Sequence, residues 1–342
     1  MLNCNDTILT YTTKVKKRTK MSEDVLFVDY LDNYNPDLNV NKLRINMHSE
    51  KNMLQIAVDN ATVNKDFKVL MANDYILGEH INGISYFQKR KTFPFSGSDF
   101  QIYKDLRYGI QPKIDQRAHK EDKMVVIFNH FSGSFSSRLK DRMPNNIWPD
   151  IQKSLIKDTY ILRIMDYNLS HGSGYINTVN FLDFEDQIQE LIFKIMDEKK
   201  IRKENVALWG SSKGATGAFY HAILGDFKAV AIDPILDEKW YVESKNDIHF
   251  LSGLRQIDLV PKINKMIDSS EFKFKKFVIT NSHFSFNNKT LNRLSKSNFI
   301  FPVDIDMPNA YDHLHVVGYN SKIHSLTLLN ASLDEAISNA LK

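Results

Sequence analysis

From about Thr92 to the end of the chain, apolar runs too short for helices alternate with longer stretches at helical spacing. Met124-Val-Val-Ile-Phe128 is apolar throughout and rich in β-branched residues, as expected for a strand buried on both faces of a parallel sheet. Tyr160–Met165, Val206–Trp209, Lys228–Ile232, Phe277–Thr280 and Phe299–Ile305 read as further strands, and Phe100–Ile114 reads as a hairpin. Between strands, Phe181–Lys199 places Ile188, Leu191, Ile192 and Ile195 on one stripe of a crossover helix, with Lys199, Lys200 and Arg202 at its negative C-terminal end. Ala215–Leu224 and Leu291–Lys296 predict two more helices, and Lys322–Leu341 closes the chain. This βαβ grammar predicts an α/β fold, doubly wound and mostly parallel, with right-handed crossovers.

The section before Thr92 reads differently. Short β-rich or mixed runs at Val25–Tyr30, Leu54–Val58 and Val69–Met71 alternate with Asn/Asp-rich connections, and Asn-Pro at 35–36 marks a turn. The expected organisation is an N-terminal accessory α+β section over residues 1–95 and a catalytic domain over 96–342. The Lys-rich stretch Lys14–Lys20 reads as a solvated arm.

Composition narrows the function classes. With 45 Lys+Arg against 41 Asp+Glu, the net charge of +4 is too small to argue for nucleic acid as a partner, though it suits an anionic substrate. The single cysteine, Cys4, excludes an intrachain disulfide and a Cys-rich metal site, and no metal is expected. No apolar run reaches the roughly 18–20 residues that span a bilayer, and the basic start lacks a signal-peptide core. The expected location is the cytoplasm or the periphery of the inner membrane face, with no transmembrane segment.

Gly210-Ser-Ser-Lys-Gly214 matches G-x-S-x-G and lies where that pattern has mechanical meaning, between a buried strand and a helix. Such a turn lifts Ser212 above the sheet on strained backbone, and glycines at 210 and 214 let strand and helix approach closely. An oxyanion hole is expected from the backbone N–H of Lys213 and one from the loop after Phe128, at His130 or Phe131. The motif is not a Walker loop, because only two residues separate Gly210 from Lys213. Gly172-Ser-Gly174 lacks the third glycine of a dinucleotide fingerprint.

A serine nucleophile needs a base, and in α/β-hydrolases the histidine follows serine and acid in chain order. His313 and His315 fit, just after the last predicted strand, with His324 a weaker third choice inside the next helical segment. The loop after Phe277–Thr280 reads Asn281-Ser-His-Phe-Ser285 and holds no carboxylate. Asp233, ending the strand after the nucleophile helix, is the best acid; Asp237, Asp304, Asp306, Asn281 or a plain Ser-His dyad are the alternatives.

Leu208-Trp-Gly-Ser-Ser-Lys-Gly-Ala-Thr-Gly-Ala218 resembles the XcbB/CpsF family of capsular polysaccharide biosynthesis proteins. It is also similar to the nucleophile segment of the meningococcal serogroup A capsule O-acetyltransferase, over a span of about 100–342. The resemblance implies an α/β-hydrolase fold and a Ser-Asp-His triad, with Ser212 as nucleophile and His313 as base. It implies acetyl-CoA as acyl donor, a capsular polysaccharide or oligosaccharide as acceptor, and capsule assembly proteins as further partners. It carries over no acid, and the first 95 residues have no counterpart.

The function expected is a serine-dependent O-acyltransferase that modifies capsule sugar hydroxyls through an acyl-enzyme. A serine esterase of the same fold is the first alternative, and a catalytically silent scaffold of a capsule assembly complex is the second.

Overall fold

Two sheets account for the strands in the computed structural model, which describes residues 24–32, 34–95, 100–114, 121–130, 135–143, 146–245, 251–283, 285–306, 313–334 and 337. The smaller sheet comprises β1 (Val25–Asp29), β2 (Lys42–Asn46), β3 (Tyr75–Ile81) and β4 (Ile84–Lys89), in the order β1-β2-β4-β3. Helices α1 (Met53–Ala57) and α2 (Ala61–Ala72) lie between β2 and β3 in the chain.

These two helices replace the β-rich or mixed runs expected at Leu54–Val58 and Val69–Met71. Asn52 makes a reciprocal capping box with Gln55, and the Asn60 side chain accepts from the N–H groups of Thr62 and Val63. The asparagines that read as loop residues are helix N-caps, each satisfying backbone donors that a helix start leaves open. Val63, Phe67, Leu70 and Met71 then bury one helical stripe with Leu43, Ile45 and Phe87 of the sheet.

The larger sheet takes β5 (Gln101–Tyr103), β6 (Leu106–Gln111), β7 (Lys123–Phe128), β8 (Thr159–Ile164), β9 (Val206–Ser211), β10 (Lys228–Ile232), β11 (Lys276–Thr280) and β12 (Ile300–Asp304). Their order is β12-β11-β10-β9-β7-β8-β6-β5, parallel except that β6 runs against both its neighbours. Numbered within this sheet the order is 1-2-4-3-5-6-7-8 with strand 2 reversed, the α/β-hydrolase arrangement. The helices of this part are α3 (Leu139–Arg142), α4 (Phe184–Lys199), α5 (Lys213–Gly225), α6 (Lys239–Lys245), α7 (Val260–Asp268), α8 (Ser285–Leu291), α9 (His313–Val317) and α10 (Tyr319–Leu333).

Alternate residues of β7 serve opposite faces: Met124, Val126 and Phe128 pack with α4 and α5, whereas Val125 and Ile127 share a core with Leu329 and Leu333 of α10. The helix expected at Leu291–Lys296 is instead α8, which ends at Leu291. Beyond it, Asn264 of α7 grips the chain, donating to the Arg293 carbonyl (2.9 Å) and accepting from the Ser295 N–H (2.8 Å). A tertiary clamp thus holds this stretch in a turn. The Lys14–Lys20 arm and Cys4 lie outside the described residues.

The fold buries a histidine on the helix that follows the Gly210–Gly214 turn. His221 of α5 stacks on Phe128 with ring centroids 5.4 Å apart, donates from Nε2 to the Tyr175 carbonyl (2.9 Å) and accepts at Nδ1 from Gln189 (2.9 Å). Only the neutral ring satisfies both bonds, and burial pushes its pKa down to about 4. Because the folded value lies below the unfolded one, the contribution is unaffected above pH 6.5 and stability is lost as pH falls from 6.5 toward 4, by about 3 kcal/mol in total. Urea unfolding at several pH values is expected to show this loss, and His221→Gln is expected to remove about one proton from the slope.

Candidate functional site

The G-x-S-x-G segment forms a strand-turn-helix elbow at the C-terminal edge of the sheet. β9 ends at Ser211, Ser212 sits at φ 56°, ψ −127°, and α5 begins at Lys213. A β-carbon on Gly210 would lie 2.1 Å from the Gly214 carbonyl oxygen, and one on Gly214 would lie 2.2 Å from the Phe128 carbonyl oxygen. Both approaches are to backbone, so neither position accepts a side chain without moving an element. The turn is pinned from the next strand: the Ser212 N–H donates to the Ile232 carbonyl (2.9 Å), and the Thr216 hydroxyl exchanges bonds with the carbonyl and N–H of Ile235.

Three of the residues singled out by sequence meet here. His313, the first residue of α9, has Nε2 2.7 Å from Ser212 Oγ and Nδ1 2.6 Å from Asp233 Oδ2. Asp233 follows β10 at φ 50°, is fully buried, and its N–H donates to the Ile279 carbonyl (2.8 Å). A carboxylate only accepts, so Nδ1 carries the ring proton and donates it to Asp233, which leaves the Nε2 lone pair facing the serine hydroxyl. The residues lie in the chain order Ser212, Asp233, His313.

Asn287 of α8, unread in the sequence, is buried and donates from Nδ2 to Asp233 Oδ2 at 2.8 Å. It lies on a short helix that the apolar pattern does not mark, and an asparagine there carries no spacing signal.

The other candidates are placed elsewhere. His315 and His324 are exposed on α9 and α10. Asp237 pairs with Arg293 (2.6 Å), Asp304 accepts from the Ser282 and Asp306 N–H groups, and Asp306 pairs with His283 (3.0 Å). Asn281 accepts from the His283 N–H at 3.2 Å.

Of the residues expected to line an oxyanion hole, Lys213 opens α5, whose first intrahelical bond runs from the Thr216 N–H to the Ser212 carbonyl. Its backbone N–H therefore stands at the positive end of the helix dipole. The Lys213 side chain is buried, and its charge favours the ionised form of Asp166, whose carboxyl burial pushes up. Asp166 anchors the Gly172–Gly174 segment by accepting from the Ser173 (2.7 Å) and Tyr175 (3.0 Å) N–H groups, so that segment is a packed loop beside the elbow. His130 has its ring 3.5 Å from Ser211 Oγ. Burial and the Lys322 charge push its pKa down, keeping the ring mainly neutral at pH 7. Phe131 lies outside the described residues. Among the described residues there is no cluster of three or more His, Cys, Asp or Glu placed to hold a metal ion, and no helix long and apolar enough to cross a membrane.

No protein-family model and no curated protein sequence matches the chain. Among solved structures, the capsule O-acetyltransferase of Neisseria meningitidis serogroup A is similar at 15% identity and a TM-score of 0.47, over 75% of this chain and 96% of that one. FphF, a fluorophosphonate-binding serine hydrolase of Staphylococcus aureus, is similar at 12% identity and a TM-score of 0.46, over 71% of this chain and 97% of that one. The Gap123 glycosylation-associated protein complex of Streptococcus agalactiae is similar at 18% identity and a TM-score of 0.43, over 66% of this chain and 45% of that one.

Proposed function

We propose that the chain is a serine-dependent acyltransferase whose nucleophile is Ser212, and that it acetylates hydroxyl groups of a capsular polysaccharide or oligosaccharide. The observation that carries this reading is the hydrogen-bonded chain from Ser212 through His313 to Asp233. Each of its links has a chemical purpose. Serine is a poor nucleophile until a base takes its proton, and His313 Nε2 is within reach of that proton. Asp233 holds the ring in the required tautomer and stabilises the imidazolium that forms.

In the first half-reaction the Ser212 oxygen attacks the carbonyl carbon of an acetyl thioester as His313 takes the hydroxyl proton. The oxyanion is stabilised by the Lys213 N–H and the positive end of α5. The thiolate leaves with the proton from His313, and acetyl remains on Ser212. In the second half-reaction His313 takes a proton from an acceptor hydroxyl, whose oxygen attacks the acyl-enzyme, and the serine recovers its proton as the ester is released. Acetyl-CoA as donor and a capsule sugar as acceptor follow from the resemblance of Leu208–Ala218 to the capsule proteins; residues 1–95 are proposed as an accessory section to the domain over 96–342.

Purified protein incubated with labelled acetyl-CoA and capsule polymers is expected to yield labelled polymer that Ser212→Ala does not produce. Labelled acetate without labelled polymer identifies an esterase, and neither product with an unreactive Ser212 identifies a scaffold. Asn287→Ala removes a donor to Asp233 whose amide nitrogen also lies 3.5 Å from His313 Nδ1, and leaves the serine in place. It is expected to lower the rate of p-nitrophenyl acetate hydrolysis about tenfold, the value of one buried hydrogen bond to a charged group, with circular dichroism showing the fold retained.

A further inference from the structure

Tyr175, on the loop between β8 and α4, is 1% exposed, and its hydroxyl reaches the ends of two strands. It donates to the carbonyls of Asn129 (2.8 Å), just past β7, and of Ile164 (3.0 Å), the last residue of β8. Burial pushes its pKa well up, so the hydroxyl keeps its proton at neutral pH. The backbone that carries it lies in the left-handed region at φ 64°, a strained conformation for an aromatic residue. Three contacts hold it there. Its N–H donates to Asp166, its carbonyl accepts from His221 Nε2, and its ring meets that of Phe128 edge-on, with centroids 4.8 Å apart.

The bond to Asn129 fixes the direction of a peptide beside the nucleophile. Strand β7 lies between β9, which carries the elbow, and β8. The Phe128 carbonyl faces the elbow: a β-carbon on Gly214 would lie 2.2 Å from its oxygen, and 3.3 Å from the Asn129 carbonyl carbon. The Asn129 oxygen turns the other way, toward the end of β8, where the Tyr175 hydroxyl meets it. In a trans peptide the C=O and the following N–H point in opposite directions, so the His130 N–H is aimed back at the elbow. The His130 ring stands on the same side, with Nδ1 3.5 Å from Ser211 Oγ.

We propose that Tyr175 is a positioning residue of the acyl-transfer site: its hydroxyl sets the Asn129–His130 peptide so that the His130 N–H joins the Lys213 N–H in receiving the oxyanion. The inference rests on Ser212 being the nucleophile and adds the group that aims the second donor.

A fluorophosphonate adduct on Ser212 places a phosphonyl oxygen where the oxyanion forms, so the donors can be read from their amide signals. Asn-His occurs once in the chain, so labelling Asn carbonyl carbon with ¹³C and His nitrogen with ¹⁵N selects the His130 amide alone. That proton is expected to move downfield on phosphonylation of the wild type, and to move less in Tyr175→Phe, which removes the hydroxyl and keeps the ring. Tyr175→Phe is also expected to slow acylation by p-nitrophenyl acetate about tenfold, less than the 10²–10³ lost with an oxyanion donor itself. It is expected to narrow the preference for that ester over its thiono analogue, whose sulfur fits a site built for oxygen poorly. Tyr220→Phe is the control: it deletes another buried hydroxyl, bonded to Glu185 (2.7 Å), and is expected to leave that preference unchanged. A folded Tyr175→Phe with the wild-type preference would overturn the proposal, as would an equal narrowing in Tyr220→Phe. So would a His130 amide unmoved in the phosphonylated wild type, a result that needs no variant to fold. Wild-type protein that forms no adduct on Ser212 overturns the nucleophile assignment, and this inference with it.

Discussion

Ser212→Ala is expected to reduce acyl transfer and ester hydrolysis at least ~1000-fold while leaving the fold intact. The variant keeps the strained turn, because Ser212 at φ 56° and ψ −127° is held by its N–H bond to Ile232 and by the glycines on either side rather than by its hydroxyl. What it loses is the atom that His313 Nε2 faces at 2.7 Å. Asp233→Asn is expected to fall nearly as far by a different route, since an amide cannot fix the Nδ1–H tautomer as a carboxylate does. If the three residues act as one unit, the double variant loses little more than either single one, and stopped-flow turnover of p-nitrophenyl acetate measures this.

Gly210→Ala is expected to destabilise the protein by at least ~4 kcal/mol, in the range reserved for severe steric conflict. The added methyl would sit 2.1 Å from the Gly214 oxygen and 2.2 Å from its carbonyl carbon, and neither can rotate away as a side chain could. Strand β9 and helix α5 would have to separate, carrying Ser212 away from His313. Thermal unfolding is expected to show a fall in Tm on the order of 10 °C, with activity lost alongside it. An unchanged Tm would mean that the close approach at the elbow is not required.

The sheet was legible because its central strands are buried on both faces: Met124–Phe128 and Val206–Trp209 admit almost no polar residue, and both become strands within two residues of the reading. The elbow was legible for a related reason, since the glycines at 210 and 214 stand where contacts leave no room for a β-carbon. Helices α1 and α2 were not, because Asn52 and Asn60 favour turns and helix caps alike, and only tertiary burial of Phe67 and Leu70 decides between them. The partner of Asp233 was open for a similar cause. Asp233 lies 80 positions from His313, and nothing local says which ring it meets; His315, two residues on, points to solvent. Asn287 was invisible altogether, because its work is done by one long-range hydrogen bond on a helix with no apolar stripe to announce it.

The most direct test of the account is reaction with a fluorophosphonate, in which an activated serine oxygen displaces fluoride at phosphorus. Intact-mass and peptide mapping are expected to find one adduct per chain, on Ser212, absent from Ser212→Ala and formed slowly in Asp233→Asn. A folded wild-type protein that stays unmodified, or that carries the adduct on another residue such as Ser211, would contradict it.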